Sequence, residues 1–215
     1  MKTKTKTILI LLRLNACPES IEWASALTAE QAWETCERAD WMLWLGTRIC
    51  RPKLVVRAAC SIARAALKHI PAGEDRPRIA IETAERWCSG DATLSEVKRA
   101  SLAASKAAAS SIGLVCFAAC AAAFAGSCCF ASRTRNATYA DPVSFADSVY
   151  FADRARNAPY TYPVSAVYFA ERAATAFAFA IEDAAQKENA DIVRKHIPFR
   201  VISPAMEKVA TSCSA

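Results

Sequence analysis

From about Ala100 to Ala185 the chain is alanine, small polar residues and a few aromatics in a helical rhythm almost without glycine, and this tract constrains the fold most. Alanine has the highest helix propensity, and its small side chain lets helix backbones approach closely, so such a tract packs as rods and carries no visible catalytic apparatus. With five glycines in 215 residues, loops must be short and phosphate-cradling glycine-rich turns have little raw material. A chain of this length can bury roughly 70% of its unfolded surface in one core. The expectation is an all-α, single-domain helical bundle with an Ala-rich C-terminal half.

Residues 1–7 (MKTKTKT) read as a basic flexible leader, 8–200 as one all-helical domain and 201–215 as a C-terminal tail. Within the domain, 8–71 supply tryptophan-rich helices and 72–200 alanine-rich ones. Ile8–Leu14 reads as a short helix, and Pro18 opens a segment through Leu27. Thr28-Ala-Glu-Gln31 is a capping box that starts a helix through Ala39, and Asp40 can cap the next, Trp41–Cys50. Lys53–Ile70 is the clearest amphipathic stretch: Leu54, Ala58, Ile62, Ala65 and His69 share one arc, and Lys53, Arg57, Arg64 and Lys68 a second. Pro71–Asp75 breaks the chain. Pro77 then starts a helix whose buried face holds Ala80, Ile81, Ala84, Trp87 and Cys88, and Gly90 ends it. A second capping box, Thr93-Leu-Ser-Glu96, launches helix through most of Leu94–Ser132. Val149-Tyr-Phe-Ala-Asp-Arg-Ala155 recurs as Val167-Tyr-Phe-Ala-Glu-Arg-Ala173, which reads as two related helices packed antiparallel, too few copies for a solenoid.

The net charge is +6, and the first seven residues alone carry three lysines. The remainder is mildly basic, compatible with nucleic acid or an acidic protein partner and demanding neither. None of the ten cysteines sits in a C-x-x-C unit. They read as small buried hydrophobes of a reducing cytosol or as a disulfide framework. The apolar run Ile8–Leu12 is short and meets Arg13 at once, unlike a cleavable signal, so the expected compartment is the cytoplasm. Ile112–Ala131 is uncharged over about a bilayer's thickness and is flanked by Lys106, Arg133 and Arg135. Alanine, serine, glycine and cysteine gain little from insertion, so the expectation is a buried central helix and no membrane contact.

The two histidines, His69 and His196, belong to no metalloprotease, nucleophile-elbow or P-loop motif. Cys116 with Cys120 and the Cys128–Cys129 pair lack companions at zinc-site spacing. The chain therefore reads as a non-enzyme without metal or cofactor. Asp40-Trp41-Met-Leu-Trp44 is the densest aromatic cluster, either a core that knits the N-terminal helices or an exposed anchor for a protein partner. The basic face Lys53/Arg57/Arg64/Lys68 is the best candidate for neutralising phosphates, against the plainer reading of a solvated face. Glu74-Asp75-Arg76-Pro77-Arg78 suits an internal salt-bridge clasp as well as a binding site.

Several blocks occur together in order: Asn15-Ala16-Cys17, Ile21-Glu22-Trp23, Ala32-Trp33 with Cys36, Asp40 to Trp44, Asp75-Arg76-Pro77-Arg78 with Ala84 and Trp87, and Ala190 to Pro198. This order resembles the putative immunity protein family, an immunity-protein-five-like group found around polymorphic toxin systems and in phage and prophage genomes. The resemblance spans roughly 9–200 and is specific in the first ninety residues. It implies an α-helical, non-enzymatic protein that neutralises a bacterial toxin or effector by stoichiometric binding. Candidate partner-binding residues are Asp40, Trp41, Trp44, Arg76 and Arg78. The positive surplus departs from the acidic character of inhibitors of basic nucleases, which favours an acidic effector or a phage-borne anti-defence role. The alternative is a phage-encoded counter-defence protein that binds nucleic acid or a nucleotide signal through the basic helix face.

Overall fold

Two threonines open helices by the same exchange. The Gln31 backbone N–H donates to Thr28 Oγ1 at 3.2 Å while Thr28 N–H donates to Gln31 Oε1 at 3.0 Å. Thr93 and Glu96 repeat the pattern, with Thr93 N–H donating to Glu96 Oε2 at 2.7 Å and Glu96 N–H to Thr93 Oγ1 at 3.3 Å. Each box satisfies two backbone donors that a helix start would otherwise leave unmet. Helix ends are matched as well. Asn15 and Gly90 both take left-handed backbone, at φ 59° and 100°. Ala16 N–H then reaches Leu11 O, and Asp91 N–H reaches Arg86 O, the reversed bonding that closes a helix C-terminus.

The computed structural model describes residues 2–109 and 183–211. Among them are nine α-helices and no strand: α1 Lys2–Arg13, α2 Pro18–Ala24, α3 Ala29–Thr35, α4 Ala39–Ile49, α5 Pro52–Ala66, α6 Arg76–Ser89, α7 Leu94–Ala109, α8 Asp183–His196 and α9 Phe199–Thr211. The all-α expectation holds there. The end of the helix launched at Leu94, the uncharged stretch 112–131, the repeat at 149–173 and the cysteines at 116, 120, 128, 129 and 213 lie outside the described residues. No helix among the described residues is long and apolar enough to cross a membrane.

Several boundaries differ from the sequence reading. Residues 2–7 are the first half of α1 and not a loose leader, and most of the expected tail is α9. These two helices hold each other: Lys6 pairs with Glu207, and Arg13 Nη1 donates to the carbonyls of Val209 and Ala210 at 2.7 and 2.6 Å. A cation at the C-terminus of α9 satisfies orphan carbonyls and opposes the helix dipole. Helix α3 stops at Thr35 and not Ala39, because the chain turns extended at Cys36 (ψ 119°). Asp40 is not a cap. It lies inside the first turn of α4, whose cap position is Arg38. The amphipathic stretch from Lys53 ends as α-helix at Ala66, and a 3-10 turn holds Leu67–His69.

Helix α5 is the hub, packed against α4, α6 and α8, while α7 lies against α6 and α9 reaches α1, α3 and α4. Val55, Val56, Ala58, Ala59, Cys60, Ile62 and Ala63 are all buried, so α5 is apolar around most of its circumference and keeps one charged stripe. Met42, Leu43, Ile81, Val193, Ile197 and Ile202 complete the interior, each large side chain contributing about 1.5–3 kcal/mol of burial. At Gly46 of α4 the neighbours are close: a methyl there would sit 3.4 Å from both Ile197 Cδ1 and Val55 Cγ2, at the edge of van der Waals contact. The buried thiols behave as small hydrophobes with a weak donor, Cys60 Sγ facing Ile81 O at 3.9 Å and Cys88 Sγ facing Lys53 O at 3.6 Å.

Candidate functional site

Four of the five tryptophans converge on one cleft. Trp23 of α2, Trp33 of α3, and Trp41 and Trp44 of α4 line it, with Met42 and, from α9, Met206 among the other wall residues. Convergence follows from helix geometry, since Trp41 and Trp44 are three apart and share a stripe. Their roles divide. Trp33 is 3% exposed and is fixed in the core, its Nε1 donating to Ile197 O at 3.1 Å. Trp23 is 38% exposed at the mouth, its ring 5.9 Å from Trp41 and tilted by 58°. The guanidinium of Arg38 lies 4.6 Å from the Trp41 centroid, and that of Arg48 lies 5.6 Å from the Trp44 centroid. Cations over indoles at such distances gain roughly 0.5–1 kcal/mol at exposed sites. The cleft has a volume of about 80 Å³. Typical small-molecule sites span about 300–1,000 Å³, so this one fits a single apolar side chain better than a cofactor.

The tryptophan cluster is thus part buried core and part exposed surface. Sequence reading had singled out Trp41 and Trp44 but not Arg38, Arg48 or Met206. The two arginines were legible, since Arg38 precedes Trp41 by three and Arg48 follows Trp44 by four, both same-face spacings. Met206 had no local signal.

Arg76 and Arg78 are engaged by their own neighbourhood. Arg76 forks onto Glu74, with Nε 2.8 Å from Oε1 and Nη2 on Oε2. Arg78 reaches Asp75 at 3.0 Å and Glu82 at 2.9 Å. The Arg76 guanidinium holds the Glu74 carboxyl below the usual carboxylate range. This is the internal clasp, and it holds the loop after Ile70 against the start of α6.

Along α5 the basic residues share one exposed side but differ in partners. Arg64 forks onto Glu85, with Nε 2.7 Å from Oε1 and Nη2 on Oε2. Lys53 Nζ lies 5.9 Å from the Trp87 centroid. Lys68 is displaced into the 3-10 turn. Beside this stripe stands a pair that sequence reading did not find, Ser61 Oγ and His196 Nε2 at 2.8 Å. Burial, then Lys195 and Arg57, push the imidazole of His196 below its ordinary pKa of 6.5. The distance suits a nucleophile and its base, yet the charges acting on this imidazole are cationic. A carboxylate that would stabilise an imidazolium, as a catalytic triad requires, is not among them.

Residues 53–140 match the model of the family described as Imm-5 like putative immunity protein. The match covers α5, the clasp at Glu74–Arg78, α6 and α7, and runs past the described residues. The family resemblance read from the sequence therefore stands on this segment, and the Asn15–Trp44 blocks precede it. No curated protein and no solved structure matches the chain.

Proposed function

We propose that the protein is an immunity-type binder that neutralises a bacterial toxin or effector by stoichiometric docking, without catalysing a reaction, and that it acts in the cytoplasm. The family match over 53–140 supports a protein partner in general. The observation that carries the docking face is the convergence of Trp23, Trp41 and Trp44 on one apolar cleft, with Arg38 and Arg48 stacked at the indoles. Tryptophan and arginine are the residue types that dominate interface energetics, and a desolvated pocket ringed by them is where such anchors act. Trp41 and Trp44 are the anchors in this reading, with Asp40 in the same helical turn. Arg76 and Arg78 lie on α6, which packs on α5 and α7, and are already paired with their own carboxylates, so they add little to this reading.

Co-purification from the native host followed by mass spectrometry should yield one dominant protein partner in a 1:1 complex. The double variant Trp23→Ala/Trp44→Ala, checked by circular dichroism, should weaken that complex by roughly 30-fold or more. Unchanged affinity would move the docking face elsewhere. A wild-type chain that captures no stoichiometric partner would overturn the immunity reading itself.

The alternative, a counter-defence protein that binds nucleic acid or a nucleotide signal through Lys53, Arg57, Arg64 and Lys68, draws on the exposed stripe of α5. The Arg64–Glu85 fork weighs against a continuous phosphate-binding face.

A further inference from the structure

Arg64 is forked onto Glu85 and Lys53 lies over Trp87, while Arg57, the third cation on this face of α5, has the Cys88 thiol as a side-chain partner and keeps further N–H donors. Arg57 is exposed and sits one turn before Ser61, on the same side of the helix. Its side chain is hydrogen-bonded to Cys88 of α6, and its charge also acts on His196 of α8. Ser61 is half-buried and holds His196 at 2.8 Å. The charges acting on that imidazole are Lys195 and Arg57, both positive. Glu85, the carboxylate acting on neighbouring Cys88, is taken up by Arg64. Hydrogen-bond donors and positive charge thus gather here, and among the described residues the charges that shift His196 include no carboxylate.

We propose that Arg57, Ser61 and His196 form a binding site for a phosphate group, presented either as the free ion or as a phosphomonoester. The guanidinium offers two parallel N–H donors that match two phosphate oxygens, and the Ser61 hydroxyl supplies a third donor. The Ser61–His196 bond sets the direction of that hydroxyl. With hydrogen on Nε2, the imidazole donates to Oγ, and the hydroxyl proton is turned outward to the anion. With Nε2 bare, the hydroxyl donates to the imidazole and is withdrawn. The site therefore takes phosphate most strongly when His196 is an imidazolium, which also adds a charge beside Arg57 and Lys195. It is built for a single phosphate. A nucleic-acid backbone would need a run of uncommitted cations along α5, and Arg64 interrupts that run. This site stands apart from the tryptophan cleft and does not depend on the docking reading.

The test is proton NMR of the two imidazoles of the full chain in phosphate-free buffer, with His196→Gln assigning the signals and His69 as the internal reference. Inorganic phosphate at millimolar concentration should raise the apparent pKa of His196 by about one unit, equivalent to about tenfold tighter binding to the imidazolium. His69 should not move. Arg57→Gln and, independently, Ser61→Ala should each weaken binding about tenfold or more. A mononucleotide phosphomonoester that raises the pKa at lower concentration than phosphate makes the monoester the source. A response to inorganic phosphate alone makes it the free ion. An unmoved His196, an equal shift at His69, the same shift in Arg57→Gln, or a phosphodiester dinucleotide binding as well as the monoester would each overturn the proposal.

Discussion

The junction where α8 meets α3 and α4, and the outer face of α5 and α6, both depend on arginines, and they use them in opposite ways. At the junction, Arg194 is 16% exposed and donates through one Nη to the carbonyls of Trp33 and Cys36, at 3.2 and 2.8 Å. Its other Nη reaches Asp191 at 2.7 Å. One side chain therefore satisfies the end of α3, replacing the capping residue that the Thr35–Arg38 segment lacks. On the outer face, Arg64, Arg76 and Arg78 are 43%, 43% and 46% exposed and pair with carboxylates that are themselves near water. Exposed ion pairs contribute little, whereas a buried cation that feeds backbone acceptors is costly to remove. The same residue type is thus an internal fastener in one place and a solvated handle in the other, and burial makes the difference.

Removing the fastener should have the largest effect. Arg194→Ala should cost about 3 kcal/mol in urea unfolding, because two carbonyls and the Trp33 region lose their partner together. A loss no larger than that of a surface arginine would erase the contrast. Next comes Gly46→Val, which leaves every arginine in place but forces side-chain atoms toward Ile197 and Val55. About 2 kcal/mol of overpacking is expected, which would locate the weak tolerance of this region in its close helix approach as well as in Arg194. His196 borders both regions and gives a smaller, pH-dependent effect. Its folded pKa lies below the unfolded value of 6.5, so the unfolded chain binds the proton more readily and stability falls as pH drops below 6.5. Comparing wild type with His196→Gln from pH 7.5 downward should remove that part of the slope; parallel curves would show that the imidazole does not titrate as described. The smallest effect belongs to Arg64→Ala, at or below about 0.5 kcal/mol and diminishing with salt.

Local devices were legible in the sequence and long-range ones were not. The threonine boxes, Pro18 and Pro77 at helix starts and the Gly90 terminator each act within a few residues, so their chemistry can be read from spacing alone. The exposed stripe of α5 was legible for the same reason, since period 3.6 places Lys53, Arg57 and Arg64 together. By contrast, Arg194 meets Cys36 across 158 residues and Ser61 meets His196 across 135. No periodicity encodes such meetings. The run MKTKTKT was read by its composition as loose chain, whereas residues 2–7 belong to α1, which meets α9 from the far end of the sequence. At the cleft, the aromatic density was visible, but the separation into a buried Trp33 and an exposed Trp23 came only from how the helices assemble.

The bond from Trp33 Nε1 to Ile197 O, across 164 residues, has a consequence for synthesis. On a ribosome the first helices emerge long before the acceptor does, so Trp33, Met42 and Leu43 must wait with their apolar faces uncovered. Such distant pairings make folding slow and expose intermediates to aggregation. Slowing elongation of the chain lengthens that wait and should lower the soluble yield.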